Sequence, residues 1–381
     1  MYFRIGKTVF LPRQQKATAF GRDVAPLGRY SGATGLARGA PQPGSRMTRR
    51  WAAKIDKSSF FKYHEQTQCQ KMNRRIFLLL SFFLLLIGLN GDEKIYVSRG
   101  MVSIESLKRH VENIQFDRNP YEGYPKLEQA AQYIAKEFLK VGLDAKEDCF
   151  QWEGKSYKNI VAEKKGRISP NRVFILGAHY DTVPGSPGAD DDASGIAVLL
   201  EIARNIQSVP LEGTVRLIAF SLEEYNYIGS SHYVESLKKG KEEILGMISL
   251  EMVGFTAPRQ DYPPYLDPKY YPNVGDFIAI IGNERSQKLL EKVCQSFKTH
   301  IPELPLEFLV VPGNGEKMEE VRLSDHSPFW DEGFSALLVT DTSFLRNPNY
   351  HLPSDRIETL NFEFMRRVAI GVYYSVVELA K

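Results

Sequence analysis

Short, nearly continuous apolar runs recur along the chain. RVFILGAHYD (172–181), TVRLIAFSLEE (214–224), GMISLEMVGF (246–255), DFIAIIGN (276–283), LEFLVVPG (306–313) and SALLVTD (335–341) have the length and composition of buried strands. YKNIVAEKK (157–165) adds an early strand. Between and around them lie helical patterns: IESLKRHVENIQ, YPKLEQAAQYIAKEFLKVG, SGIAVLLEIARNIQ, SSHYVESLKKG, ERSQKLLEKVCQSFKTH and FEFMRRVAIGVYYSVVELAK. A chain that alternates in this way can bury its strands only between two layers of helix. The expected fold is therefore a single α/β domain, with a mixed, mostly parallel central β-sheet and helices on both faces. No internal repeat or second domain boundary interrupts the order.

Open α/β sheets collect functional groups at the carboxyl ends of their strands. His179 and Asp181 end one run, Glu223 and Glu224 the next, Glu251 follows ISL, and Asp341 follows ALLVT. The stretch GAHYDTVPGSPGADDDASG adds three consecutive aspartates just before an apolar helix whose cap is Asp192 or Ser194. Carboxylates crowded beside a low-dielectric core repel one another unless cations pair with them. Zinc suits imidazole and carboxylate ligands. His179 and Asp181 lie two apart on a strand and share a face, so one can bind metal while the other steadies it. A turn at Glu223–Glu224 lets one carboxylate bind metal and the other act as general base. Glu251 and His351, in NPNYHLPSD, complete the candidate donors. Two zinc ions nearly balance three ligand carboxylates, a bridging hydroxide and an ionised base, whereas one ion does not.

From about residue 105 to the C-terminus these separated motifs resemble metallopeptidase family 28, the co-catalytic zinc aminopeptidases that include bacterial leucyl aminopeptidases and aminopeptidase Y. The resemblance implies a zinc-exopeptidase (phosphorylase/hydrolase-like) fold, two zinc ions per chain and peptide substrates. It implies His179 and Glu251 on one zinc, Glu224 and His351 on the other, and Asp191 bridging them. Asp181 would support His179, Glu223 would be the general base, and Tyr350 would stabilise the tetrahedral intermediate formed by a metal-bound hydroxide. Glutaminyl cyclases share this fold with a single zinc, and a non-catalytic ectodomain of the same fold is a second alternative. The exopeptidase assignment comes from the resemblance, since no residue clearly holds a free α-amine. His326, next to Asp325, reads as part of a helix cap and not as a ligand. His232 reads as a surface residue, and His110 and His300 as residues without partners. The long segment after Glu251, 255–276, is a packed surface loop or a substrate-facing wall.

The charge balance divides the chain. Residues 1–71 carry 14 Lys/Arg against 3 Asp/Glu, while 33 stand against 43 from Asp92 onward. The acidic main part argues against nucleic acid as a partner. Met72-Asn73-Arg74-Arg75 followed by the 14-residue apolar run Ile76–Leu89 has the form of a signal peptide. The expected organisation is an upstream or unfolded extension (1–71), a signal peptide or signal anchor (72–91) and a catalytic domain (92–381). That places the enzyme in the periplasm or outside the cell, with membrane contact only if 76–89 stays uncleaved. Cys149 and Cys294 are either one disulfide or two free thiols.

Overall fold

Strands β1 (Ala145–Trp152), β2 (Lys155–Lys164), β3 (Ser169–His179), β4 (Gly213–Phe220), β5 (Glu243–Glu251), β6 (Ile278–Asn283), β7 (Leu306–Val311) and β8 (Ala336–Thr340) form one sheet, in the order β1-β2-β4-β3-β5-β8-β6-β7. This computed structural model describes residues 102–381. The expected extension (1–71) and signal segment (72–91) lie outside the described residues. The four central strands β4, β3, β5 and β8 are parallel, β7 runs parallel to β6, and the β1–β2, β2–β4 and β6–β8 pairings are antiparallel.

Helices α1 (Ile104–Ile114), α2 (Tyr124–Lys140), α3 (Ala193–Ile206), α5 (Gln287–His300) and α7 (Phe362–Leu379) form the larger layer, and α4 (Ile228–Lys239) and α6 (His326–Asp331) pack together in a second one. Alternation along β3 serves both layers. Phe174 and Leu176 join the core under the larger layer, while Val173 and Ile175 join the core with Tyr233, Phe329 and Trp330. α3 is buried almost all round, as a helix held between sheet and outer helices must be.

β1 was not expected from the sequence. AKEDCFQW is an edge strand with only Phe150 fully buried, so it lacks the apolar signal of the central strands. It closes on β2 through Glu153 and Gly154, whose φ of 46° and 77° make the two-residue turn that favours glycine. Both cysteines are free: Cys149 is exposed on β1 at one sheet edge, and Cys294 is buried on α5, which packs on β6 and β7 at the other. Burial pushes the Cys294 thiol up to about 12, so it stays protonated and inert.

Three histidine readings change. His110 is buried, with Nδ1 2.8 Å from the Tyr133 hydroxyl and Nε2 3.8 Å from Glu201. His300 stands 2.8 Å from Glu378 and stacks on Tyr374 at 3.8 Å. Both read as residues without partners, but their partners on α2, α3 and α7 are long-range contacts that periodicity cannot reveal. His326 opens α6 fully buried beneath Trp330, and Asp325 makes no side-chain cap bond.

Candidate metal centre

β3 leads to β4 on one side and β5 lies on its other side, so the chain reverses direction across the sheet beside β3. A crevice opens at the carboxyl ends of such strands. The suspected residues gather there. His179 is the last residue of β3 and Glu251 the last of β5, while Glu223 and Glu224 follow β4 after a turn at Leu222 (φ 59°). Met252 (φ 49°) and His351 (φ 60°) are also left-handed. Non-glycine residues tolerate that backbone only where surrounding bonds over-determine it, and such residues cluster at functional sites. Here the Met252 amide donates to Asp192 (3.1 Å), and the Ile228 amide donates to the Leu222 carbonyl (3.0 Å).

The three aspartates take three different roles. Asp192 caps α3, accepting from the Gly195 amide at 3.0 Å, and also from the amides of Met252 (3.1 Å) and His179 (3.3 Å). A Cβ at Gly195 would stand 2.4 Å from that carboxylate, which explains the glycine of DDDASG. Asp190 accepts from the Gly254 amide (3.0 Å) and from Asn347 Nδ2 (2.7 Å). Asp191 is the one that faces the crevice. Its Oδ1 lies 3.1 Å from His179 Nε2 and its Oδ2 3.2 Å from His351 Nε2. Glu251 Oε2 is 3.6 Å from His179 Nε2, and Glu224 Oε2 is 3.1 Å from His351 Nε2.

Two groups with metal-ligand spacing result: His179, Asp191 and Glu251, and Asp191, Glu224 and His351. Asp191 belongs to both. Asp181 stands behind them, 3.6 Å from His179 Nδ1, and its two oxygens accept from the Glu223 (3.0 Å) and Glu224 (3.2 Å) amides. One carboxylate thus sets both the imidazole of β3 and the turn after β4. Tyr350 stacks on His351 with ring centroids 3.6 Å apart. Asp341 does not join either group. It accepts from the Phe255 and Ser343 amides, at 2.8 and 2.9 Å, behind Asp190.

The donor set is left unsatisfied by protein partners alone. His179 Nε2, His351 Nε2, Asp191 Oδ1, Glu224 Oε1 and Glu251 Oε2 are buried and accept or donate no hydrogen bond. Native proteins rarely leave such atoms unpaired, and several converging on one space mark an ion site. The electrostatics of the cluster agree. Burial opposes a charge on His179, yet Glu251, Asp181 and Asp191 push its pKa well above the ordinary value. Burial likewise opposes charge on His351, but Glu224 and Asp191 raise it to about 10. Burial, reinforced by Glu251 and Glu224, raises Glu223 well above the usual carboxylate range. Without a cation, the cluster draws protons to the places where positive charge is needed.

Two supports were missed in the sequence. Asp355, four residues beyond His351 in HLPSD, accepts from the Asp190 (2.9 Å) and Asp191 (3.1 Å) amides. Its place in the motif was a usable signal. Arg118, fully buried, donates to the carbonyls of Tyr180 (2.6 Å), Pro187 (2.7 Å) and Gly188 (3.0 Å), and so grips the loop that carries Asp191. Nothing in FDRNPYEG marks that arginine as internal.

Residues 159–376 match the family model described as peptidase family M28. An uncharacterized protein of Escherichia coli (strain K12), YfbL, is 35% identical over 263 residues, which cover 65% of this chain and 78% of YfbL. Aminopeptidase YwaD of Bacillus subtilis (strain 168) is 32% identical over 231 residues, 59% of this chain but only 45% of YwaD. The chain thus spans less than half the length of YwaD. Among solved structures, LapA of Legionella pneumophila superposes with a TM-score of 0.61 at 20% identity, over 76% of each chain, a likeness of fold.

Proposed function

The chain belongs to peptidase family M28, and from that membership we propose that it is a zinc-dependent exopeptidase, an aminopeptidase removing N-terminal residues from peptides. The observation that carries this reading is Asp191, shared by two three-residue donor groups through its two oxygens. His179, Asp191 and Glu251 would hold one zinc, and Asp191, Glu224 and His351 the other. When bound, zinc supplies Lewis acidity, lowering the pKa of a water molecule and polarising the scissile carbonyl.

The chain's own residues do the rest. Glu223, only 5% exposed and adjacent in sequence to Glu224, would take the proton of the attacking water and pass it to the leaving amine. Asp181 keeps the Glu223 backbone and the His179 ring in register. Burial, with Glu224 and Asp191 nearby, raises the Tyr350 phenol well above its ordinary value, so it stays a neutral donor for the developing oxyanion. Both donor groups are complete and a base is present, which favours hydrolysis over a single-zinc cyclase or a non-catalytic binding module.

The purified protein is expected to contain about two zinc ions per chain and to release nitroaniline from leucine p-nitroanilide but not from its N-acetyl derivative. Metal analysis and a colorimetric assay measure both. One zinc with pyroglutamate formation would identify a cyclase, and neither metal nor turnover a binding module.

Among the described residues no helix is long and apolar enough to cross a membrane. We place the enzyme in an exported compartment, on the leader-like segment 72–91. N-terminal sequencing of the mature protein should then begin close to Asp92. A mature chain that retains Ile76–Leu89 would make the segment an anchor instead.

A further inference from the structure

Three aromatic rings from three separate segments meet next to the turn that carries Glu224. Tyr121 comes from the α1–α2 connection, Trp152 from the end of β1, and Tyr225 directly follows Glu224. Their ring centroids are mutually 6.1 Å (Tyr121–Trp152), 5.7 Å (Tyr121–Tyr225) and 5.5 Å (Trp152–Tyr225) apart. Tyr157, buried beneath them, touches Trp152 at 5.7 Å. The surface is apolar and partly open, with Tyr121 48% exposed.

The backbone under these rings is unusually well anchored. The Tyr121 amide donates to Asn119 Oδ1 (2.8 Å), Asn119 Nδ2 donates to Asp117 (2.6 Å), and Asp117 accepts from the Gly185 amide (2.7 Å). Arg118 within that segment grips the carbonyls of residues 180, 187 and 188. The Tyr157 hydroxyl donates to the Pro120 carbonyl (3.2 Å). The Glu224 amide, just before Tyr225, is held by Asp181, and the Tyr225 hydroxyl reaches the Thr182 carbonyl at 3.5 Å. An exposed ring on a fixed backbone loses little freedom when a ligand covers it, which is the condition for a preorganised contact.

The strand order decides what covers it. β4, β2 and β1 lie on one side of β3, with Glu223 and these three rings. β5 and β8 lie on the other, and the segment after β8 carries Tyr350 and Phe344, whose rings are 5.6 Å apart. The metal centre therefore has two aromatic flanks. Glu223, which serves the leaving amine, belongs to the first. An extended peptide alternates its side chains and advances about 3.3 Å per residue, so successive residues can reach opposite flanks.

Resting on the aminopeptidase reading above, we propose that Tyr121, Trp152 and Tyr225 form the subsite for the residue on the leaving side of the scissile bond, and that it selects aromatic or large apolar side chains there. Leu-Phe, Leu-Gly and Leu-amide test this in the zinc-loaded full chain, with Leu-amide as the reference that has no side chain beyond the bond. The wild type should favour Leu-Phe over Leu-Gly in kcat/KM by roughly tenfold, the equivalent of about 1.4 kcal/mol of ring contact. Tyr121→Ala and Trp152→Ala should bring that ratio close to one, mainly through KM for Leu-Phe, and Trp152→Phe should restore much of it. A wild type indifferent to the second residue would overturn the subsite, as would variants that slow all three substrates by one factor. Failure to cleave any of the three, Leu-amide included, would overturn the aminopeptidase reading itself and this inference with it.

Discussion

Glu223→Gln should lower kcat by about a thousandfold, within the range lost with a general base, while the zinc content stays unchanged. The substitution keeps the side chain's size but replaces a carboxylate oxygen with an amide NH2, so the side chain can no longer accept a proton. Glu223 is not in either donor group, and its backbone is fixed by the Asp181 carboxylate (3.0 Å) and by the Tyr227 amide donating to its carbonyl (2.9 Å). The turn that carries Glu224 into the second donor group should therefore survive. KM should move little, because the lost interaction is made in the transition state. The acid limb of the kcat/KM profile should also disappear, since it reports the ionisation of this carboxyl in the free enzyme. Steady-state kinetics beside metal analysis separates the outcomes. A variant that keeps both metals and retains more than about a tenth of wild-type kcat would show that Glu223 is not the base.

The strand ends were legible because two independent patterns coincide in them. Apolar runs locate β3, β4, β5 and β8, and the polar residue that stops each run is necessarily at its carboxyl end. This suffices to bring His179, Glu224 and Glu251 to one edge, as the structure does. It does not show which oxygen meets which imidazole. That pairing depends on left-handed backbone at Leu222, Met252 and His351, and none of these residues advertises it as glycine would. The distinction among Asp190, Asp191 and Asp192 was partly legible, because Asp192 occupies a helix cap. The other two differ only through contacts with Gly254, Asn347 and Asp355, up to 165 residues away. Arg118 and the ring cluster of Tyr121, Trp152 and Tyr225 were invisible for the same reason. β1 was missed because an edge strand need not be apolar, and that strand supplies Trp152.

Removing the metals should cost more stability than any single substitution at the site, and the cost should grow with pH. Two sites each filled at about a thousand times their dissociation constant contribute roughly 8 kcal/mol together. In a domain of this size that corresponds to about 15 °C or more in Tm. Chelation leaves the buried acids without cations, and the pKa shifts give the sign of the pH dependence. His351, raised to about 10, stabilises the metal-free fold fully below its ordinary 6.5, and loses that contribution as pH rises through 10. Burial raises Asp341 and Asp355 to about 7; each contributes fully below its ordinary 3.8 and is lost as pH rises through 7. Asp191 has the opposite sign. Burial opposes its ionisation, but His179 and His351 lower its pKa so far that its contribution is lost only in strong acid. The chelated protein should therefore melt progressively lower from pH 5.5 to pH 8. Zinc held by His351 and its neighbouring donors would displace the His351 proton and favour ionisation of the acids behind them, so the loaded protein should gain affinity over that interval. Calorimetry with and without chelator should give two Tm curves that diverge as pH rises. Parallel curves would mean that these buried groups do not exchange protons for metal, and the shared-aspartate centre would have to be abandoned.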